Sequence, residues 1–194
     1  MKYVSVAVDG PAGSGKSTIT KMVAKSLGFN YVDTGAMYRA LTFNFLSNGL
    51  DELEEEEIKE LLSKIDFKVE YVDGVQYVYV NNEEVSDKIR TAEVSKFTSL
   101  FAKSPAVRDF LIDTQRNLAK SNNIIMDGRD IASVVLPNAD VKIFLTASVE
   151  ERARRRVLDF ERQGITDVNY EKVKEEIKAR DYQDENRDIA PLIK

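Results

Sequence analysis

The sequence predicts a three-layer α/β domain, in which a parallel β-sheet is covered by helices on both faces. Short apolar runs such as residues 4–8 and 124–126 alternate along the chain with segments whose apolar residues recur at helical spacing. This alternation is typical of parallel sheets, because each strand needs a helical crossover to reach the next. The length of 194 residues fits one domain of ordinary size.

The elements of the core can be placed in order from these patterns. Strands are expected at residues 4–8, 31–32, 124–127 and 141–145, and helices at 16–27, 35–47, 91–103, 105–120, 149–163 and 169–185. Ser104 and Ser148 are candidate N-caps, and Pro105 suits the first helical position. Residues 51–60 include seven acidic side chains and predict a short helix with a solvated outer face.

A change of period interrupts the α/β pattern at about residues 64–88. β-Branched and aromatic residues at 67–71 and 77–80 flank Asp73-Gly74, a strong signal for a two-residue hairpin turn. We therefore expect a small inserted β-subdomain at 64–88 and a core built from residues 1–63 and 89–194.

The composition excludes several kinds of chemistry. The chain has no Cys and no His, which rules out disulfides, thiolate or imidazole nucleophiles, and metal sites built on those residues. The net charge of −5 argues against non-specific nucleic-acid binding. The apolar runs are too short to span a bilayer, and the first residues lack the apolar stretch of a secretory signal. We expect a cytoplasmic monomer without membrane or nucleic-acid partners.

Residues 10–17 match the phosphate-binding motif G-x-x-x-x-G-K-[ST], between a predicted strand and a predicted helix. The candidate ATP-binding residues are Gly10, Pro11, Ala12, Gly13, Ser14, Gly15, Lys16, Ser17 and Thr18. Such a loop turns backbone N–H groups toward phosphate oxygens, while Lys16 supplies a cation and the Ser17 hydroxyl suits Mg²⁺. A glycine-rich turn that binds nothing is the alternative, and the match of motif and context favours the nucleotide site.

This P-loop motif by itself does not name a reaction, because GTPases, motor ATPases and small kinases share it. The N-K-x-D segment with which GTPases read their base is absent from the sequence. ATPases of the AAA type have much longer chains. The size therefore favours a small kinase, which also needs a second site for the phosphoryl acceptor.

Charged residues near predicted strand ends are candidates for that second site. Asp127 ends an apolar strand and could hold a water on Mg²⁺, or could cap the following turn. Arg129 follows the same strand, and Arg39 lies one turn into a predicted helix. Their positions favour anion binding over the solvated state usual for a surface arginine. The arginines of the helix at 149–163 could reach phosphates or pair with acids of their own helix.

Four segments together closely resemble the bacterial cytidylate kinases, in the long form that carries an insert for binding the nucleoside monophosphate. They are residues 9–18 (DGPAGSGKST), 33–39 (DTGAMYR), 127–130 (DGRD) and 180–192, where the sequence begins RD and ends NRDIAPL. The resemblance runs in order from about residue 3 to residue 192. It implies ATP-dependent phosphorylation of CMP and dCMP with Mg²⁺, by direct in-line transfer, and an Arg-rich lid at about 148–166.

The resemblance also implies roles for individual residues. The CMP phosphate would be held by Thr34, Arg39, Arg129 and Arg187. The cytosine would be held by Ser99, Arg108 and Asp130, and the sugar hydroxyls by Arg180 and Asp184. Lys16, Arg129 and Asp127 would be catalytic, Ser17 and Asp127 would bind Mg²⁺ (Asp127 through water), and Arg152, Arg155 and Arg156 would belong to the lid. A carboxylate such as Asp130 can accept a hydrogen bond from the cytosine amine. Without the resemblance, Ser99 would read as an ordinary helix hydroxyl.

The sequence departs from the family pattern in two places. Residues 130–133 read DIAS where DIGT is commoner, a change expected to affect only local packing. The family usually continues beyond the position of Lys194 with a strand and a helix, so we expect an exposed sheet edge and exposed apolar surface.

Two other functions stay open: a kinase for another small acceptor, such as UMP, AMP or shikimate, and a nucleotide-binding regulatory protein. The DTGAMYR and DGRD segments argue against the second, because a nucleotide switch needs no further anion site.

Overall fold

Strands and helices alternate through most of the chain, as a computed structural model shows for residues 3–162, 164–165 and 167–194. The strands are β1 (Ser5–Asp9), β2 (Asn30–Asp33), β3 (Phe67–Val72), β4 (Val75–Val80), β5 (Glu83–Glu84), β6 (Ile124–Gly128) and β7 (Val141–Phe144). The helices are α1 (Lys16–Leu27), α2 (Thr34–Ser47), α3 (Glu55–Lys64), α4 (Ala92–Phe101), α5 (Pro105–Ser121), α6 (Val149–Arg162) and α7 (Tyr170–Asn186). Four residues of the predicted core, helix and lid lie outside the described residues, at positions 1, 2, 163 and 166.

The main sheet is parallel and has the strand order β2-β6-β1-β7. Asp9 at the end of β1 lies opposite Gly128 of β6, and Asp33 at the end of β2 lies opposite Asp127. The loops that follow these three strands therefore leave the same edge of the sheet side by side. Ligands of open α/β sheets bind at this carboxyl edge.

Alternate residues of the strands pack into two cores, one on each face of the sheet. On one face, Ala7, Val32 and Met126 pack against α2, α3 and α5. On the other face, Val8 and Ile125 belong to a smaller cluster that includes residues of α1. This arrangement confirms the predicted α/β sheet with helices on both faces.

The β-rich insertion forms a second, antiparallel sheet with the order β3-β4-β5. Its hairpin turns at Asp73 and Gly74, whose φ angles of 52° and 77° are those of a type I′ turn. The Gln76 side chain accepts a hydrogen bond from the Asp33 N–H (2.8 Å) and donates one to the Asp33 carbonyl (3.2 Å). The insertion is thereby attached to the end of β2, next to the carboxyl edge.

One local expectation from the sequence needs correction, and one element was not predicted at all. The acidic helix runs from Glu55 to Lys64 and not over 51–60, because this position buries Ile58 and Leu62 against the core. Residues Ile131–Val135 form a short π-helical turn that the sequence patterns did not predict.

The sheet ends at β7, whose Val141 and Ile143 side chains are exposed. The outer face of α1 is also apolar and exposed, through Ile19, Met22, Val23 and Leu27. Among the described residues, no helix combines the length and apolar character needed to cross a membrane.

Candidate active site

The glycine-rich loop between β1 and α1 curls tightly at the carboxyl edge of the sheet. Gly10, Gly13 and Gly15 have φ angles of 146°, 73° and 93°, which L side chains rarely adopt. A Cβ atom on Gly10 would lie 2.0 Å from the Leu145 carbonyl oxygen, so no larger residue fits there. The loop leads directly into the N-terminus of α1, which favours anions.

Lys16 lies inside this loop. Its Nζ donates hydrogen bonds to the carbonyl oxygens of Gly10 (2.6 Å) and Pro11 (2.9 Å), and the residue is only 5% exposed. Burial, reinforced by the nearby Arg129 cation, lowers the pKa of Lys16 to about 7. A phosphate anion in the loop would favour the ammonium form and raise this pKa again.

Asp127 ties the loop to the neighbouring strands. Its Oδ2 atom accepts a hydrogen bond from the Ser17 hydroxyl (2.8 Å), and its Oδ1 atom accepts one from the Tyr31 hydroxyl (2.9 Å). The Thr34 hydroxyl donates to the Asp127 backbone carbonyl (2.7 Å). Burial and the nearby Asp33 carboxylate raise the pKa of Asp127.

The oxygen atoms of Ser17 and Asp127 fit a hard cation such as Mg²⁺. Within the described residues, no group of three or more acidic side chains is placed to hold a metal ion alone. Mg²⁺ commonly binds through one or two protein oxygens, with phosphate oxygens and water completing its shell. The residues present therefore fit a magnesium ion that arrives with a nucleotide.

Arginines from distant parts of the chain meet beside the loop. Arg39 donates to Asp33 (3.1 Å), which caps α2 through the Ala36 N–H, and Arg129 donates through Nε to Asp184 (2.9 Å). The charges of Arg39 and Arg129 both contribute to lowering the pKa of Arg180, although burial is the larger cause. These three guanidinium groups therefore form one cluster, in which Asp33 pairs with Arg39 and Asp184 pairs with Arg129.

Part of this cluster lacks hydrogen-bond acceptors. The Nε atom of Arg180 is buried without a hydrogen-bond partner among the described residues. Next to the cluster, the buried Nη2 atom of Arg187 also makes no hydrogen bond among them, although it lies 3.4 Å from Asp130 Oδ1. Burial lowers the pKa of Arg187, and the neighbouring Arg108 cation adds to this effect. Buried donors without acceptors are unfavourable, so a bound anion would stabilise both side chains.

Asp130 forms ion pairs with two arginines next to this cluster. Its Oδ2 atom accepts from Arg108 Nη2 (3.0 Å), and its Oδ1 atom is 3.4 Å from Arg187 Nη2. Arg108 also donates to the Tyr38 hydroxyl (3.1 Å). Ser99 is half-buried on α4.

Asp9 connects the phosphate loop with this second region. Its two carboxylate oxygens accept hydrogen bonds from the backbone N–H groups of Ile131 (2.9 Å) and Ala132 (2.7 Å). The π-helical turn after Asp130 is therefore anchored to the last residue of β1.

The arginines of α6 have different surroundings. Arg152 is 4% exposed and donates to the Ala12 and Ala147 carbonyls, and to both oxygens of Asp181 (2.8 and 2.5 Å). Arg155 pairs with Glu151 and lies 3.4 Å from the Ser14 carbonyl oxygen, while Arg156 stacks on Phe160. Arg155 is thus beside the phosphate loop, whereas the donors of Arg152 are used by protein acceptors.

Sequence reasoning missed Tyr31, Tyr38, Asp9 and Asp181 as parts of this arrangement. Asp9 lies next to the glycine loop, and this adjacency could have suggested a role. Tyr31 and Asp181 carry no local signal, because their partners lie 96 and 29 residues away in the chain.

The fold and the site together define a class of protein. A P-loop at the carboxyl edge of a parallel sheet, facing a second cluster of cations, is the arrangement of a phosphotransferase that brings a nucleoside triphosphate to a small anionic acceptor. The family model of cytidylate kinase matches residues 6–194.

Individual relatives agree with this match. The cytidylate kinase of Caldicellulosiruptor bescii is 48% identical over 192 residues, which make up 99% of this chain and 84% of the relative. That of Leuconostoc mesenteroides is 49% identical over 99% of this chain and 85% of its own length. That of Bacillus subtilis is 47% identical over 100% of this chain and 86% of its own. The chain belongs to the cytidylate kinase family and is a nucleoside monophosphate kinase.

Proposed function

We propose that this protein transfers the γ-phosphoryl group of ATP to CMP and to dCMP. The observation that carries this proposal is the position of Asp130 and Arg108 next to the buried arginines. A carboxylate can accept from the exocyclic amine of cytosine, and a guanidinium can donate to its ring nitrogen and carbonyl oxygen. The adjacent cations suit the phosphate of the same nucleotide.

The proposed roles are those that the resemblance to the family implies. Arg39, Arg129 and Arg187, with Thr34, hold the CMP phosphate; Arg39 and Arg129 are held beside the carboxyl edge by Asp33 and Asp184. Arg180 and Asp184 hold the sugar hydroxyls, and Ser99 joins Arg108 and Asp130 at the base. The P-loop residues 10–18 hold the ATP phosphates.

The proposed reaction is a direct displacement. A phosphate oxygen of CMP forms a bond to the γ-phosphorus of ATP as the bond to the β–γ bridging oxygen breaks, which gives CDP and ADP. The acceptor oxygen is already ionised near neutral pH, since the second pKa of a phosphate monoester is about 6. No general base is required, in keeping with a chain that has no His.

The protein contributes position and positive charge to this reaction. Lys16 and Arg129 neutralise the charge on the transferring group, and each is held by contacts within the site. Bound Mg²⁺, held by Ser17 and through water by Asp127, would neutralise further phosphate charge. Closure of the lid at 148–166, with Arg155 and Arg156, would exclude water and limit ATP hydrolysis.

The choice of acceptor is tested by measuring ADP release with CMP, dCMP, UMP and AMP as acceptors. We expect CMP and dCMP to be preferred over both others. In the Asp130→Asn variant, kcat/KM for CMP should fall about tenfold to a hundredfold, which is the usual range for a lost charged hydrogen bond. The discrimination against UMP should also shrink, because an amide can donate to the uracil O4 atom.

Asp113→Asn is the matched control, because Asp113 is exposed on α5 away from the site. It should keep the activity and acceptor preference of the unmodified protein. A preference for AMP over CMP, or an Asp130→Asn variant that still separates CMP from UMP, would contradict the proposed reading of cytosine.

A further inference from the structure

A tyrosine hydroxyl contacts the Asp127 carboxylate at the oxygen that Ser17 does not use. Tyr31 is 5% exposed, and its hydroxyl donates to Asp127 Oδ1 at 2.9 Å. The other oxygen of the same carboxylate accepts from Ser17 at 2.8 Å. The three side chains thus form one continuous chain of hydrogen bonds.

The sheet register makes this contact possible. Tyr31 of β2 lies directly opposite Ile125 of β6, two residues before Asp127. Because side chains two residues apart point to the same face of a strand, Tyr31 and Asp127 are diagonal neighbours within reach of an aromatic side chain. Residues of α1 pack on this face, so Ser17 at its start meets Asp127 there.

We propose that Tyr31 is a positioning residue for the magnesium site, and that its hydroxyl orients Asp127 so that the opposite carboxylate oxygen faces Ser17. This inference rests on the proposed function, in which Ser17 and Asp127 hold Mg²⁺. Nothing in the proposed reaction requires Tyr31 to touch a substrate.

The physical need for such a residue lies in the freedom of an aspartate side chain. The terminal torsion of Asp has a broad energy profile, so the carboxylate plane is poorly fixed by its own covalent geometry. One hydrogen bond from Ser17 restrains one oxygen and leaves rotation about that bond. A second, charge-assisted hydrogen bond on the other oxygen fixes the plane.

Tyr31 is suited to this role because its ring is packed in a buried apolar cluster. The ring belongs to the apolar cluster with Val8, Ile125 and Phe29, and the Lys21 ammonium lies 5.3 Å from its centroid. Partners of this kind behind a metal-binding group commonly change metal affinity by about tenfold to a hundredfold.

The test is the Tyr31→Phe variant, which removes the hydroxyl and keeps the ring. Binding of Mn²⁺ to the protein with a non-hydrolysable ATP analogue is measured by electron paramagnetic resonance, and a crystal structure gives the distance between Ser17 Oγ and Asp127. We expect Mn²⁺ affinity to fall about tenfold and the Asp127 carboxylate to turn away from Ser17. The KM for CMP should be nearly unchanged.

Tyr71→Phe is the matched control, because the Tyr71 hydroxyl is buried without a hydrogen-bond partner among the described residues. It removes a hydroxyl and should leave Mn²⁺ affinity unchanged. A Tyr31→Phe protein with the Mn²⁺ affinity of the unmodified protein would overturn the inference. Equal losses of Mn²⁺ and CMP affinity would also overturn it, since they would indicate a general structural effect.

Two further variants separate this inference from the proposed function. Ser17→Ala and Asp127→Asn should each weaken Mn²⁺ binding if these residues hold the metal. If neither does, the proposed metal site is wrong, and the inference fails with it. If both weaken binding and Tyr31→Phe does not, only the positioning role of Tyr31 is wrong.

Discussion

Binding of ATP should be accompanied by uptake of a proton above neutral pH. The perturbation is a change of pH, and the group that responds is Lys16, whose pKa is lowered to about 7 by burial and by Arg129. Triphosphate anions in the loop favour the ammonium form and raise the pKa of Lys16 towards its ordinary value. The complex therefore holds more protons than the free protein.

The magnitude follows from that pKa. With a pKa of about 7, roughly nine-tenths of the free protein has a neutral Lys16 at pH 8, and about one-tenth at pH 6. Binding should take up about 0.9 proton at pH 8 and about 0.1 proton at pH 6. Because the complex binds more protons, ATP affinity should fall as pH rises, by up to about tenfold per unit above pH 7.

Isothermal titration calorimetry of MgATP, without CMP, gives the number of protons directly. The apparent heat of binding is measured in Tris and in HEPES, and its change with the ionisation heat of the buffer is the proton uptake. MgATP is fully ionised at pH 8, so the ligand contributes little. Lys21→Met, which removes an exposed lysine of α1, should keep the uptake, whereas Lys16→Met should lose it.

A proton uptake near zero at pH 8 in the unmodified protein would refute this reasoning. It would mean that Lys16 is already an ammonium in the free protein, and that its hydrogen bonds to the Gly10 and Pro11 carbonyls outweigh the cost of burying the charge. Uptake that survives in Lys16→Met would assign the proton to another group.

Two further predictions concern the support of the phosphate loop. Arg152→Ala should lower the free energy of unfolding by about 3–5 kcal/mol, because it leaves the Asp181 carboxylate in a largely buried site without its partner. Urea titrations measure this change, and the control Arg154→Ala, at an exposed position, should change the free energy of unfolding little. Equal effects of the two substitutions would contradict this account. Gly10→Ala should abolish measurable ATP binding in the same calorimeter, because its Cβ would lie 2.0 Å from the Leu145 carbonyl oxygen; retained affinity would show that the loop can shift.

Much of the fold could be predicted because its signals are local. The caps at Ser104 and Ser148 are made by hydrogen bonds within three residues, to Val107 and Glu151, so the sequence shows them directly. The hairpin at Asp73-Gly74 depends on the left-handed conformation of the turn residues themselves.

The misplaced acidic helix shows where local signals fail. A run of glutamates is compatible with a helix at several positions, and the burial of Ile58 and Leu62 selects one of them. The π-helical turn at Ile131–Val135 follows a backbone anchored by Asp9, which lies 122 residues away from Ile131. The amino-acid pattern around residues 131–135 gives no sign of such a distant hydrogen-bond partner.

For the candidate site, features made by residues close together along the chain could be predicted from the sequence, whereas most contacts between distant residues could not. The sequence alone determined the phosphate loop, because eight consecutive residues carry its glycines, its lysine and its hydroxyl. The resemblance had already put Arg108 and Asp130 at one site, and the tertiary structure alone decided that Arg187 joins them, that Tyr31 reaches Asp127, and that Arg152 is used within the protein. These contacts join segments that come together only when the strands pair and the helices pack, and the amino-acid pattern around each residue does not record that pairing.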